Sequence, residues 1–175
     1  GTTLTQGYGN VALGSDALYQ VTTGHNNVSI GSYSLDALTT TNNMTAVGHS
    51  AGTAVNHAGA EGGTFIGYQS GKAVTSGGHN TSVGYQALLA NSTSGYNTAI
   101  GAQAVYSLTG DSNTALGYRA GYSETTGVSN VFIGRHASRL TNAGEGLVVV
   151  GAWAGESLGA ADSCVYIGRE AGQYN

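Results

Sequence analysis

The stretch Asn97-Thr98-Ala99-Ile100-Gly101-Ala102-Gln103-Ala104 returns almost unchanged as Asn113-Thr114-Ala115-Leu116-Gly117-Tyr118-Arg119-Ala120. Working outward from this pair, an aliphatic residue followed by glycine recurs along the chain. The copies are Leu13-Gly14, Ile30-Gly31, Val47-Gly48, Ile66-Gly67, Val83-Gly84, Ile100-Gly101, Leu116-Gly117, Ile133-Gly134, Val150-Gly151 and Ile167-Gly168. Their spacings are 17, 17, 19, 17, 17, 16, 17, 17 and 17 residues. Self-similarity at a fixed short period is the signature of a stacked repeat architecture.

With that glycine as position 0, position −1 is always Leu, Ile or Val, and position −3 is always Val or Thr. Position −2 is mostly Ala or Ser, with Phe65, Phe132, Val149 and Tyr166 as larger exceptions. Position −4 is asparagine at Asn10, Asn27, Asn80, Asn97, Asn113 and Asn130, and position +3 is Ala or Ser throughout. Position +7 is often Val or Leu, as in Val21, Leu38, Val55, Val74, Leu108 and Leu158.

Each copy therefore reads as a strand of about four residues, a glycine bend, a second short extended piece and a polar return. β-Branched residues suit the strand, and alternation places −3 and −1 on one face and −2 on the other. No 3.6-residue apolar period appears, and one unit cannot bury its own aliphatic residue. The units must stack, about 4.8 Å apart, into an all-β parallel β-roll or β-solenoid of about ten 17-residue coils, roughly 48 Å long. Residues 1–175 form one repeat domain. The small +3 column predicts close backbone approach inside the coil, and the glycine predicts a bend with positive φ or no room for a Cβ. The 19-residue spacing is read as a surface loop over Asn56–Gly63. The absence of proline fits a chain whose N–H groups belong to inter-coil ladders. Leu4 and Asn175 both fall at +7, so the termini lie mid-coil, and the expectation is a segment of a longer fibre with other domains at both ends.

Composition narrows function. Val, Ile, Leu and Phe together number 33 of 175 residues, and the net charge is −4. Five Lys+Arg cannot lay down a phosphate-neutralising stripe, so nucleic acid is excluded as a partner. One cysteine excludes an internal disulfide framework. No apolar run approaches 18 residues, so no membrane insertion is expected, and no signal peptide is visible. The thin supply of large apolar groups gives one such coil little core, which argues for association of copies, with the −2 face as the one packing on sister chains.

The Asn97–Ala104 and Asn113–Ala120 runs resemble the N-T-A-[IV]-G-x-x-A-L repeat of bacteriophage tail fibres. They are also similar to the N-S-V-A-I-G-x-x-S head repeat of trimeric autotransporter adhesins, whose period is shorter. The resemblance spans residues 10–175. It implies a left-handed homotrimeric roll, a virion location or alternatively a bacterial surface, and a host surface glycan or outer-membrane receptor as partner. It implies no catalytic residues and no cofactor.

Candidate sites follow from the columns. Tyr68, Tyr85 and Tyr118 share +1, while Gln69, Gln86 and Gln103 form a run at +2 continued by Arg119, His136 and Trp153. Aromatic faces beside amides and a guanidinium hold sugar rings and hydroxyls, so Tyr68, Tyr85, Tyr118, Gln69, Gln86, Arg119 and Trp153 are the candidate glycan contacts. The five histidines occupy different columns without metal-ligand spacing and are expected as exposed turn residues. Cys164 stands where Asn is usual and is expected as a lone thiol. The nine acids, including Glu124, are scattered, with Asp16 and Asp36 in adjacent coils, and no enzyme activity is expected. Thr45, Thr64, Thr81, Thr98 and Thr114 line up at −3, which raises an ice-binding solenoid as a remote alternative; sharing a face with the aliphatics, they are expected to be semi-buried.

Overall fold

The computed structural model describes residues 6–123, 125–140, 144–158 and 161–173; the positions of Leu4, Glu124 and Asn175 lie outside them. Ten parallel strands pair strictly in sequence order in one sheet. They are β1 (Val11–Leu13), β2 (Val28–Ile30), β3 (Thr45–Val47), β4 (Thr64–Ile66), β5 (Thr81–Val83), β6 (Thr98–Ile100), β7 (Thr114–Leu116), β8 (Val131–Ile133), β9 (Val148–Val150) and β10 (Val165–Ile167). Like columns pair throughout, for example Thr81 with Thr98 and Val83 with Ile100. The repeat is thus a β-solenoid of about 17-residue coils, numbered below by their strands.

Each strand has three residues rather than four, and no second extended piece forms a strand among the described residues. The rest of the coil is turns, and its backbone groups bond to neighbouring coils: Gly48 N–H donates to the Ile30 carbonyl at 2.7 Å, and Leu35 N–H to the Ala51 carbonyl at 3.0 Å. All described residues with positive φ fall in four columns: −5, 0, +2 and +4. The anchor glycines lie at +125° to +136°, where L side chains are strained, and a Cβ on Gly48 would meet the Gly67 carbonyl oxygen at 2.5 Å. Both reasons expected for the glycine therefore apply. The other three columns hold left-handed residues at +46° to +70°, many of them non-glycine, such as Asp16, Gln69, Leu88 and Trp153. That conformation costs about 1 kcal/mol or more per non-glycine residue, and the inter-coil hydrogen bonds on both sides hold it.

The faces of the sheet are reversed from the expectation. Position −2 points inward: Ser29, Ala46, Phe65, Ser82, Ala99, Ala115, Phe132 and Val149 are fully buried. Positions −3 and −1 point outward, and Ile66, Ile100 and Leu116 are 37%, 38% and 46% exposed. The −2 face is therefore the core of the chain and cannot be the one packing on sister chains. The expected half-burial of the threonine column holds for Thr45, Thr64, Thr81 and Thr98, while Thr114 is exposed.

The interior is filled by −2 together with +3, +4 and +7, and it is narrow. Where −2 is small both in a coil and in the next one, +4 is large, as in Ala12 with Leu18, Ser29 with Leu35 and Ser82 with Leu88. Where −2 is Phe65, +4 is Gly71, and the preceding coil also has Gly52 there; a Cβ on either would lie 2.3 or 2.8 Å from the Phe65 ring. Phe132 is accommodated by Gly121, and Tyr166 by Gly172. Buried hydroxyls satisfy each other: Ser70 and Ser82 Oγ lie 2.6 Å apart, and Ser29 pairs with Ser34.

Position −4 forms an internal ladder. Asn97 N–H donates to Asn80 Oδ1 at 2.9 Å, Asn113 N–H to Asn97 Oδ1 at 2.8 Å, and Asn130 N–H to Asn113 Oδ1 at 3.0 Å. The Nδ2 groups of Asn97, Asn113 and Asn130 donate to the carbonyls of Gly110, Gly127 and Gly144. All four asparagines are fully buried, and each amide is used on both sides. The ladder stops where Met44, Gly63, Leu147 and Cys164 replace asparagine; Cys164 is a free thiol donating to the Asp162 carbonyl. The long coil carries a 3-10 turn at Ala58–Ala60, capped by His57 Nδ1 accepting from Gly59 N–H. Its outer residues are exposed, as a surface loop should be, but Ala60 is buried.

One core position breaks the pattern. Asn91 occupies the +7 column of Val21, Leu38, Val55, Val74 and Leu108, fully buried, with neither Nδ2 nor Oδ1 hydrogen-bonded. Burying an unpartnered amide costs about 1–3 kcal/mol. Asn91→Val should therefore raise stability by about 2 kcal/mol and the melting temperature by several degrees; an unchanged or lower melting temperature would mean that the amide has a partner.

Candidate functional site

Past the glycine bend, +1 and +2 form surface tracks, because +2 is left-handed in every coil and +3 turns inward. The candidate residues fall into two groups joined by one ladder. Tyr68 and Tyr85 stack on each other with centroids 5.4 Å apart and planes at 11°, and His49 continues the stack at 5.5 Å. Beside them Gln86 Nε2 donates to Gln69 Oε1 at 2.9 Å, Gln103 Nε2 to Gln86 Oε1 at 3.2 Å, and Arg119 Nε to Gln103 Oε1 at 2.8 Å. The amides thus form a continuous chain over four coils, ending on a guanidinium.

The second group is built around arginine. Arg119 lies 5.2 Å from the Tyr118 ring centroid and 5.1 Å from that of Tyr122. Trp153 stacks on His136 at 4.2 Å and 17°, and Tyr118 meets the same imidazole edge-on at 5.2 Å. Arg135 lies 4.8 Å from the Trp153 centroid. At +5, Arg139 bonds Glu156 Oε1 at 2.8 Å, and Gln173 Nε2 donates to Glu156 Oε2 at 2.9 Å. The Gln173 hydrogen bond, and then Arg139, hold the Glu156 carboxyl below its ordinary range despite burial. Burial first, and then Arg139, Arg135 and Arg119, push the His136 imidazole below its usual value.

His136 is thus a correction: it is buried, with Nδ1 unpartnered, instead of being an exposed turn residue. His25 is half-buried, while His49, His57 and His79 are exposed as expected. Four of the five stack on or abut an aromatic ring of a neighbouring coil, as Tyr8 with His25 and His79 with Tyr96. Arg135, Tyr122 and the Arg139–Glu156 pair were not among the candidates. The signal for them was present in the alignment, since three of the chain's five cations fall between 119 and 139. Asp36 has its carboxyl raised by burial and then by Asp16. Among the described residues no three His, Cys, Asp or Glu side chains are grouped to hold a metal ion.

Chemically, the two groups differ. In the Tyr68–Tyr85 pair one face of each ring is spent on the other, and Tyr68 also stacks with His49, while Tyr85 remains 52% exposed. Around Arg119 and Arg135, guanidinium groups and aromatic rings are displayed together, with charge to spare. No protein-family model, curated protein or solved structure matches this chain.

Proposed function

We propose that the chain is a stiff segment of a homotrimeric attachment fibre, of the phage tail-fibre kind or, alternatively, the head of a bacterial trimeric adhesin. It would reach toward a host cell surface from a virion or a bacterial envelope. The observation that carries this reading is the outward face of the sheet. Its −3 and −1 columns contain no charged residue in any of the ten strands and present aliphatic groups in register over roughly 45 Å. A continuous uncharged stripe of that length is the kind of surface that an obligate partner covers, and the repeat resemblance supplies two further copies of the same chain as that partner. The function is mechanical, with stacked ladders giving stiffness and the surface tracks giving contact to the receptor.

Light scattering tests the assembly and adsorption to host cells tests the attachment. The expected mass is three times the 17.5 kDa chain mass, and a stable monomer that does not adsorb would sink the proposal. The same face aligns Thr45, Thr64, Thr81, Thr98 and Thr114, the feature that favours ice binding as a second reading. Here the companion column is Val47, Ile66, Val83, Ile100 and Leu116 instead of a second threonine rank, which favours the interchain reading. A thermal-hysteresis assay separates the two.

A further inference from the structure

Charge is distributed unevenly on this molecule. Its net charge is −4, with only five Lys+Arg, yet Arg119, Arg135 and Arg139 occupy two successive coils. Their surroundings are not alike. Arg139 is neutralised by Glu156. Arg119 and Arg135 have no carboxylate within 4.0 Å among the described residues, where the ion pairs are Arg139–Glu156 and Arg169–Glu170. Arg119 is also held in place, by the Gln103 amide on Nε and by the Tyr118 and Tyr122 rings. Among the described residues its terminal guanidinium N–H donors have no hydrogen-bond acceptor. Arg135 is exposed and rests against Trp153.

We infer that the surface of coils 7 to 9 carrying Arg119, Arg135 and Trp153 binds an acidic sugar of a cell-surface glycan, one bearing a carboxylate or a phosphate. A guanidinium matches both oxyanions with paired N–H donors, and beside it the Tyr118 ring, 43% exposed and met by His136 only edge-on, adds to Trp153 the apolar surface that a pyranose C–H face covers. Preorganisation lowers the cost of binding, and Arg119 is already fixed by three contacts. Two unpaired cations are too few for nucleic acid, whose recognition needs a stripe of cations, and suit a ligand with one or two anionic groups. The inference rests on the attachment reading above and names the chemistry of its ligand.

The test uses the whole chain on an array of matched pairs: mannose 6-phosphate against mannose, digalacturonate against galactobiose, and sialyllactose against lactose. The acidic member of at least one pair should bind tenfold or more tighter, and salt should weaken it. Which pair responds identifies carboxylate or phosphate. Arg135→Gln and Arg119→Gln should each lose tenfold or more, and Lys72→Gln, remote in sequence and outside the patch, should change nothing. Arg135 is exposed, so its variant keeps the test valid if Arg119→Gln fails to fold. Equal binding of acidic and neutral partners, binding to no sugar, an equal loss from Lys72→Gln, or equal competition by polyglutamate would each overturn the inference. A trimer that adsorbs to cells without preferring acidic sugars overturns this inference alone. A monomer that prefers them overturns the fibre reading alone.

Discussion

Gly71→Leu should leave the chain largely unfolded at its normal working temperature, and adding Phe65→Ala to the same molecule should restore most of the stability. A Cβ on Gly71 would lie 2.3 Å from Phe65 Cδ1 and 2.6 Å from Cε1, and the ring, fully buried, has nowhere to go. Overpacking of this severity costs about 3 kcal/mol or more. Phe65→Ala alone removes a buried ring and should cost about 3–5 kcal/mol. Combined, the two changes recreate the pairing of coils such as that of Ser82 and Leu88, where a small −2 residue meets a leucine at +4. Leucine adopts the same left-handed backbone at Leu35 and Leu88, with φ of 46° and 54°, so the coil tolerates it there at a backbone cost of about 1 kcal/mol. The double variant should melt well above either single one, with a coupling of about 2 kcal/mol or more. Additive losses in thermal melts would show that the two columns do not share one volume.

The second large effect concerns the outward face. In the trimer proposed above, Ile100→Asp should separate the copies into monomers while leaving the fold of each chain nearly intact, since the side chain is 38% exposed in the single chain. In a three-fold assembly every copy would bury an unpaired carboxylate at the same level, at several kcal/mol per site. Ala99→Asp, one residue away, should instead destroy the fold, because Ala99 is fully buried in the core. Light scattering with circular dichroism distinguishes the outcomes. A trimer that survives Ile100→Asp would mean that the copies meet elsewhere.

These neighbouring residues also show what could and could not be read from the sequence. Spacing alone specifies the coil, its stacking and its register, because parallel in-register pairing is the arrangement that satisfies a strict 17-residue repeat of aliphatic-Gly. Which face is inside is not specified by alternation, since period two is symmetric. Hydrophobicity then misleads. The stiff Val, Ile and Leu residues at −3 and −1 look like a core, yet a 17-residue coil is too narrow to hold them beside the +4 and +7 residues. The decisive clue was the exchange of volume between columns, Phe65 against Gly71 and Phe132 against Gly121, which is visible only when columns are read in pairs. The asparagine ladder was half legible: the column stood out, but its burial depends on a carbonyl at −7 of the next coil. For the surface, the Gln69–Gln86–Gln103–Arg119 track was visible as a column. Arg135 was not, because its role comes from Trp153, which stands at +2 of the next coil and not in the +1 column of Arg135; His136 stood in the track, but its burial did not show there.

The four columns of positive φ have a consequence for how such a chain can change over time. Since Asp16, Tyr33, Gln86, Arg119, His136 and Trp153 all occupy the same backbone state, a coil's exterior chemistry is nearly independent of its conformation. Unequal crossing-over between two coils at equivalent positions would keep every hydrogen-bond register and alter only the reach of the rod, in steps of one strand spacing. The constraint is that Phe65 leans on Gly52 as well as Gly71. Exchanges that part a large −2 residue from a glycine it leans on, Gly52 or Gly71 for Phe65 and Gly121 for Phe132, would be lost, so inherited length variants should carry such neighbouring coils together as a linked block.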